Sequence, residues 1–164
     1  MDKLDQVVEQ WQIEKPHLDT LPMALIGRLL RLSKYLEIKI SQCHKGFGLT
    51  LGEFDVLATL RRAAPDAGLR PSELINAMML TSGAMTNRLD KLERKTLISR
   101  QHSELDKRSV MVSLTGPGLE LIDSAIEAHV AVQHELLCSL NTQEKALLNQ
   151  MLKTWLIPFE SSEL

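Results

Sequence analysis

The chain is poor in the residues that mark several functional classes. Its 164 residues include two cysteines, Cys43 and Cys138, too few and too scattered for a disulfide framework or a cysteine-built zinc site; both are expected as reduced, inert thiols. Aromatic residues number two Trp, one Tyr and three Phe. A platform for single-stranded nucleic acid needs a ring for each stacked base and is therefore disfavoured. Uninterrupted apolar runs are short, as in Met23-Ala24-Leu25-Ile26, against the roughly 20 residues of a membrane span. Met1-Asp2-Lys3-Leu4-Asp5 has neither the cationic head nor the apolar stretch of a secretion signal. Segments rich in β-branched residues do not recur at sandwich or barrel spacing. Gly116-Pro117-Gly118 lacks the Lys-Ser/Thr that would follow in a phosphate loop. Among the histidines, His129 and His134 are five apart, the wrong step for one helix face, and His44 beside Cys43 is the other suggestive pair. The expectation is a mainly helical cytoplasmic protein, with no metal, no cofactor, no membrane and no catalytic constellation.

Charge is unevenly spread. The formal net charge is −2, which looks wrong for a polyanion binder until it is divided along the chain. Residues 1–68 hold nine basic and nine acidic groups. Residues 69–108 hold eight basic groups (Arg70, Arg88, Lys91, Arg94, Lys95, Arg100, Lys107, Arg108) against five acidic ones, and residues 109–164 hold two against seven. A basic centre beside an acidic C-terminal third is the asymmetry expected of a localised polyanion-binding face. An ordinary solvated surface is the plain alternative.

Hydrophobic periodicity then lays out the elements. After a polar lead of about twenty residues, Asp19 or Thr20 caps a helix with Pro22 in its first turn. Leu21, Leu25, Leu29, Leu32, Leu36 and Ile40 recur at three- and four-residue steps, and Gly46-Phe47-Gly48 ends the pattern. Thr50-Leu51-Gly52-Glu53 reads as a capping box opening a second helix through Leu57 and Leu60, which Pro65-Asp66-Ala67-Gly68 stops. Pro71 begins a short helix to about Met78. Thr81 or Ser82 caps another, running to about Lys95, and two such helices so close together form a helix-turn-helix. Strands are expected at 98–102 and 110–114, joined by Ser103-Glu104-Leu105-Asp106-Lys107-Arg108 into a hairpin with a charged tip. A long helix follows Leu114-Thr115 with Leu119, Ile122, Ile126, Val130 and Leu137 on one stripe. A last helix opens at Asn141–Glu144 and carries Leu148, Met151, Leu152 and Trp155 until Pro158.

Helix-turn-helix followed by a β-hairpin is the winged-helix order. Its second helix suits the roughly 12 Å major groove of duplex DNA, and its wing the neighbouring minor groove. On a helical wheel of residues 82–94, Met85, Leu89 and Leu92 fall on the core side. Gly83, Thr86, Asn87, Asp90, Lys91 and Arg94 fall on the other, short and polar first and basic later, as base reading followed by phosphate contact requires.

Residues 49–123 resemble the MarR family of winged-helix transcriptional regulators. The likeness is carried by Leu49-Thr50-Leu51-Gly52-Glu53-Phe54-Asp55-Val56-Leu57, by Leu89-Asp90-Lys91-Leu92-Glu93-Arg94-Lys95, and by Asp106-Lys107-Arg108-Ser109-Val110 through Leu114-Thr115 to Gly118. The Asp-x-Arg wing with its alternating strand and Leu-Thr helix start is the specific motif. The resemblance implies a homodimer that reads a roughly palindromic double-stranded DNA operator, usually to repress nearby genes. It places Thr81, Ser82, Thr86, Asn87 and Lys91 at the major groove, with Asn87 able to pair bidentately with adenine. Arg70 and Ser72 would hold phosphate, Arg108 would enter the minor groove, Asp106 would orient the wing and Lys107 would add a phosphate contact. Two features depart from the family: Thr96 stands where glycine is frequent, and Glu104 and Asp106 make the wing less basic than usual.

The expected organisation is an N-terminal segment and first dimerisation helix over residues 1–48, the winged helix-turn-helix over 49–115, and C-terminal dimerisation helices over 116–164. The flanking helices carry more apolar surface than caps need, and pairing with a second copy would bury it. The family often takes small aromatic or anionic effectors between dimerisation helices and winged domain. Arg28 and Arg31 are the candidates here for pairing a carboxylate, and Trp11, His17 and Tyr35 for an aromatic wall, although solvated or internally bridged arginines fit equally. The reading from another class is a winged-helix protein-interaction module without DNA binding, which would carry exposed apolar anchors where Arg70, Asn87, Lys91 and Arg108 converge.

Overall fold

A computed structural model describes residues 2–63, 68–78, 82–102 and 110–160. Their order is α1 (Lys3–Glu14), α2 (Leu21–Gly46), α3 (Leu51–Ala63), α4 (Pro71–Met78), α5 (Ser82–Arg94), β1 (Ile98–His102), β2 (Val110–Leu114), α6 (Gly116–Leu136) and α7 (Thr142–Glu160).

The first element corrects the expectation of a polar lead. Asp2 Oδ1 accepts from the Leu4 and Asp5 N–H groups at 2.7 and 3.1 Å, and the Asp5 carboxylate accepts from the Asp2 N–H at 2.7 Å. This reciprocal cap starts α1. The helix buries no residue of its own. It is fastened to α2 by Arg28, which pairs with Asp2 at 2.8 Å and also with Asp5. Leu4 lies over Gly27, where a Cβ would come within 2.7 Å of Leu4 Cδ1.

The other helices start and stop on local chemistry. Asp19 Oδ1 accepts from the Leu21 N–H at 3.0 Å, and Pro22 sits in the first turn of α2. The Thr50 N–H donates to Glu53 Oε2 at 2.8 Å and the Glu53 N–H to the Thr50 hydroxyl at 3.2 Å. Asn141 and Glu144 repeat the exchange before α7, at 2.8 and 3.0 Å. α7 continues to Glu160 rather than ending at Pro158: a proline two residues from the helix end removes one backbone hydrogen bond and disturbs only the last turn.

β1 and β2 pair antiparallel, Ile98 with Leu114, Arg100 with Val112 and His102 with Val110. Leu69 extends this hairpin by a bridge to Val112, its N–H donating to Val112 O at 2.9 Å and its carbonyl accepting from the Val112 N–H at 2.8 Å. Gly68 makes the approach with φ 72, where a Cβ would meet Val112 O at 2.5 Å. The core gathers α3, α4, α5, the hairpin and the first half of α6 around Leu57, Leu60, Leu74, Leu92, Val112 and Ile122, all fully buried. α7 buries nothing, and α2 buries only Ala24 and His44.

Candidate nucleic-acid interface

α5 has the two faces the wheel requires. Met85, Leu89 and Leu92 are buried in the core. Gly83, Thr86, Asn87, Asp90, Lys91 and Arg94 are exposed and line one shallow concavity. Ser82 is the first residue of the helix. Arg70 and Ser72 are both exposed at the start of α4, where Pro71 occupies the first position and the Arg70 N–H donates to Glu73 Oε2 at 2.7 Å. The structure therefore brings Thr86, Asn87 and Lys91 onto one face and leaves Arg70 and Ser72 accessible at the preceding helix start. Thr81, Asp106, Lys107 and Arg108 lie outside the described residues.

Charge counting overstated how many cations of residues 69–108 are available to a ligand. Lys95 Nζ donates to Gly48 O at 2.9 Å and to Glu53 Oε1 at 2.8 Å. Glu53 is buried, which pushes its carboxyl up; the Lys95 ammonium and the Thr50 donors outweigh this, so its pKa lies below the ordinary value. Arg100 pairs with Asp90 and, at 2.9 Å, with Glu93. Arg88 packs over Gly52, where a Cβ would meet its Cζ at 2.5 Å, on the inner side of α5. There it opposes the upward push that burial exerts on the Asp55 carboxyl. Lys91 and Arg94 keep to the outer face, Arg94 Nε donating to Asp90 O at 3.2 Å.

The helix behind this face ends tightly. The Leu97 N–H donates to Leu92 O at 3.0 Å and the Thr96 N–H to Glu93 O at 2.9 Å, the bond pair of a Schellman turn. Thr96 takes the left-handed conformation that glycine would take, with φ 58. The Thr115 hydroxyl holds the turn by donating to Thr96 O at 2.7 Å, while accepting from the Gly118 N–H at 3.1 Å.

One buried group escaped sequence reasoning. His44, at the end of α2, is fully buried. Its Nε2 lies 3.0 Å from Nδ1 of His129 on α6, and its ring stacks on Phe54 of α3 at 3.8 Å. Burial, with His129 beside it, holds its pKa down at about 4. Burial also lowers the pKa of His129, opposed by the Asp55 carboxylate. The signal was the stripe itself: His44 is four residues beyond Ile40, and His129 three beyond Ile126.

The effector candidates are only partly brought together. Arg31 Nη2 donates to the Tyr35 hydroxyl at 3.4 Å, with its guanidinium 5.9 Å from the ring centroid. Arg28 is committed to Asp2 and Asp5. His17 is exposed beyond α1. Trp11 lines a shallow depression with Gln10, Ile13 and Glu14, and the described lining includes none of the other four. No group of three or more His, Cys, Asp or Glu side chains with metal-ligand geometry occurs among the described residues. No described helix is long and apolar enough to cross a membrane.

Comparison with known proteins gives one answer at two levels. The transcriptional regulator PecS of Dickeya dadantii is 36% identical over 150 residues, spanning 92% of this chain and 90% of PecS. A mutant MarR from E. coli, solved in complex with operator DNA, superposes with a TM-score of 0.71 at 27% identity, covering 85% of this chain and 99% of that one. The S. aureus MepR–DNA complex gives a TM-score of 0.71 at 26% identity over 80% of this chain and 96% of MepR. The sequence model of the MarR family matches residues 49–110. The chain belongs to the MarR family.

Proposed function

We propose that the protein is a homodimeric, sequence-specific transcriptional regulator of double-stranded DNA that acts in the cytoplasm as a repressor and catalyses no reaction. The observation that carries this is the outer face of α5: Thr86, Asn87, Lys91 and Arg94 exposed together above a fully buried Met85-Leu89-Leu92 stripe, with no apolar anchor among them. In this reading Thr81, Ser82, Thr86, Asn87 and Lys91 meet the major groove, Asn87 pairing with an adenine edge. Arg70 and Ser72 hold phosphate at the start of α4. Arg108 enters the minor groove, with Asp106 orienting the wing and Lys107 adding a phosphate contact.

The dimer is supported by what the single chain leaves uncovered. Leu30 is 62% exposed, Met151 60% and Phe159 63%, on helices that contribute almost nothing to the core. Two copies pairing through α1, α2, α6 and α7 would bury these side chains and set two α5 helices against successive major grooves, about 34 Å apart. A small aromatic or anionic effector that releases DNA is part of the proposal, with Arg31 and Tyr35 as its best-placed contacts. The test is titration of the purified protein, its mass in solution established, against DNA upstream of its own gene at several salt concentrations. Selective binding by a dimer that weakens steeply with salt is expected. Binding no tighter than to random DNA, repeated across a genome-wide selection, sinks the DNA reading in favour of a protein-interaction module.

A further inference from the structure

Arg100 stands where the recognition helix meets the wing. It lies on β1 opposite Val112, and its Nη2 donates to the Asp90 carboxylate and, at 2.9 Å, to Glu93 Oε2. Asp90 and Glu93 are three residues apart on α5 and so share the side turned to β1. Asp90 also belongs to the exposed concavity that holds Thr86, Asn87, Lys91 and Arg94.

Fold stability does not account for this arrangement. The two carboxylates are 51% and 45% exposed, so their attraction to the guanidinium is screened by water. Arg100 Nε is buried with no hydrogen-bond partner among the described residues, so the contact carries a desolvation cost. Electrostatics at the outer face of α5 gives a reason. A duplex carries a phosphate charge about every 1.7 Å of its axis. A carboxylate left loose beside Lys91 and Arg94 would lie within a Debye length of that charge and repel it.

We propose that Arg100 is a positioning residue for DNA binding. It does not touch the duplex. It draws the Asp90 and Glu93 carboxylates toward the wing strand and offsets their charge, so that Asn87, Lys91 and Arg94 approach DNA without like-charge repulsion. The inference rests on the DNA-binding reading above, and wild-type protein titrated on operator and random DNA in the same series reports on that reading separately.

The experiment is a charge cycle with Arg100→Gln, the double variant Asp90→Asn with Glu93→Gln, and the triple variant, each measured for operator affinity as a function of salt. Arg100→Gln is expected to weaken binding by about tenfold or more and to leave the slope of log affinity against log salt unchanged. On the carboxylate-free background the same substitution is expected to change affinity by less than about twofold. Wild-type affinity in Arg100→Gln overturns the proposal. So does equal damage on both backgrounds, or a slope reduced by about one, which would make Arg100 a direct phosphate contact. If Arg100→Gln does not fold, the double variant alone decides: it should bind at least as tightly as wild type, and weaker binding overturns the proposal.

Discussion

Acid should destabilise this protein through one histidine. His44 is fully buried between α2, α3 and α6, stacked on Phe54 and 3.0 Å from His129. Its pKa is held at about 4, against 6.5 in an unfolded chain. The unfolded state therefore takes up a proton near pH 6.5 that the folded state refuses until about pH 4. Stability from this group is complete above pH 6.5 and falls as pH drops toward 4. Linkage gives a loss of about 2 kcal/mol at pH 5, rising to about 3 kcal/mol at and below pH 4. His129, whose pKa burial also lowers, and carboxylates elsewhere titrate in this range too, so the signature is a difference: urea unfolding at pH 7.5 and 5.0, at fixed protein concentration, for wild type and His44→Leu. The variant should start less stable but lose about 2 kcal/mol less between the two pH values. A His44 ring resonance titrating near pH 4 would accompany it. Equal losses in the two proteins, or a His44 midpoint at 6 or above, would refute the reasoning.

Three further outcomes follow from geometry already described. Thr96→Gly removes a β-branched residue from a left-handed conformation at φ 58 and should stabilise by about 1 kcal/mol, raising Tm by about 3 °C; an unchanged or lower Tm in calorimetry contradicts this. Gly118→Ala would put a Cβ 1.9 Å from Leu97 O, a carbonyl that also accepts from the Thr115 N–H at 3.1 Å and so cannot swing aside; a loss of at least about 3 kcal/mol is expected in urea titration, and near-neutral behaviour would show the contact to be slack. Lys91→Ala should weaken binding to all duplexes and lower the salt slope by about one, whereas Asn87→Ala should cost about 1–3 kcal/mol on the preferred operator and little on random DNA. Fluorescence anisotropy across a salt series separates the two patterns, and a reversed pattern would exchange the proposed roles.

What could be read from sequence was what is decided locally. Thr50 with Glu53 and Asn141 with Glu144 satisfy their own helix ends, so they announce α3 and α7 without tertiary information. Met85, Leu89 and Leu92 oriented α5 because a helix with one apolar stripe has one way to face a core. Partners distant along the chain were not legible. α1 starts on its own Asp2–Asp5 cap but is held to α2 by Arg28, 26 residues from Asp2, and its own residues bury too little to declare a helix. Lys95 and Arg100 counted as free cations until the fold placed Glu53, Asp90 and Glu93 beside them. His44 and His129 looked unrelated at 85 residues' separation, although each prolongs an apolar stripe.

The residues just after α5 form a joint with consequences for geometry on DNA. Lys95 is tied to Gly48 at the end of α2, and Thr96 and Leu97 to Thr115 at the start of α6. Both arms of the scaffold thus grip the same three-residue knuckle of the reading head. A 26-residue α2 is about 39 Å long, and swinging it by roughly 5° about its far end carries the knuckle about 3 Å, close to the 3.4 Å step between base pairs. In the proposed dimer, angular changes of this size among the outer helices would shift an α5 helix by about one base-pair step, so the spread of the arms would bear on whether both copies fit one duplex at once.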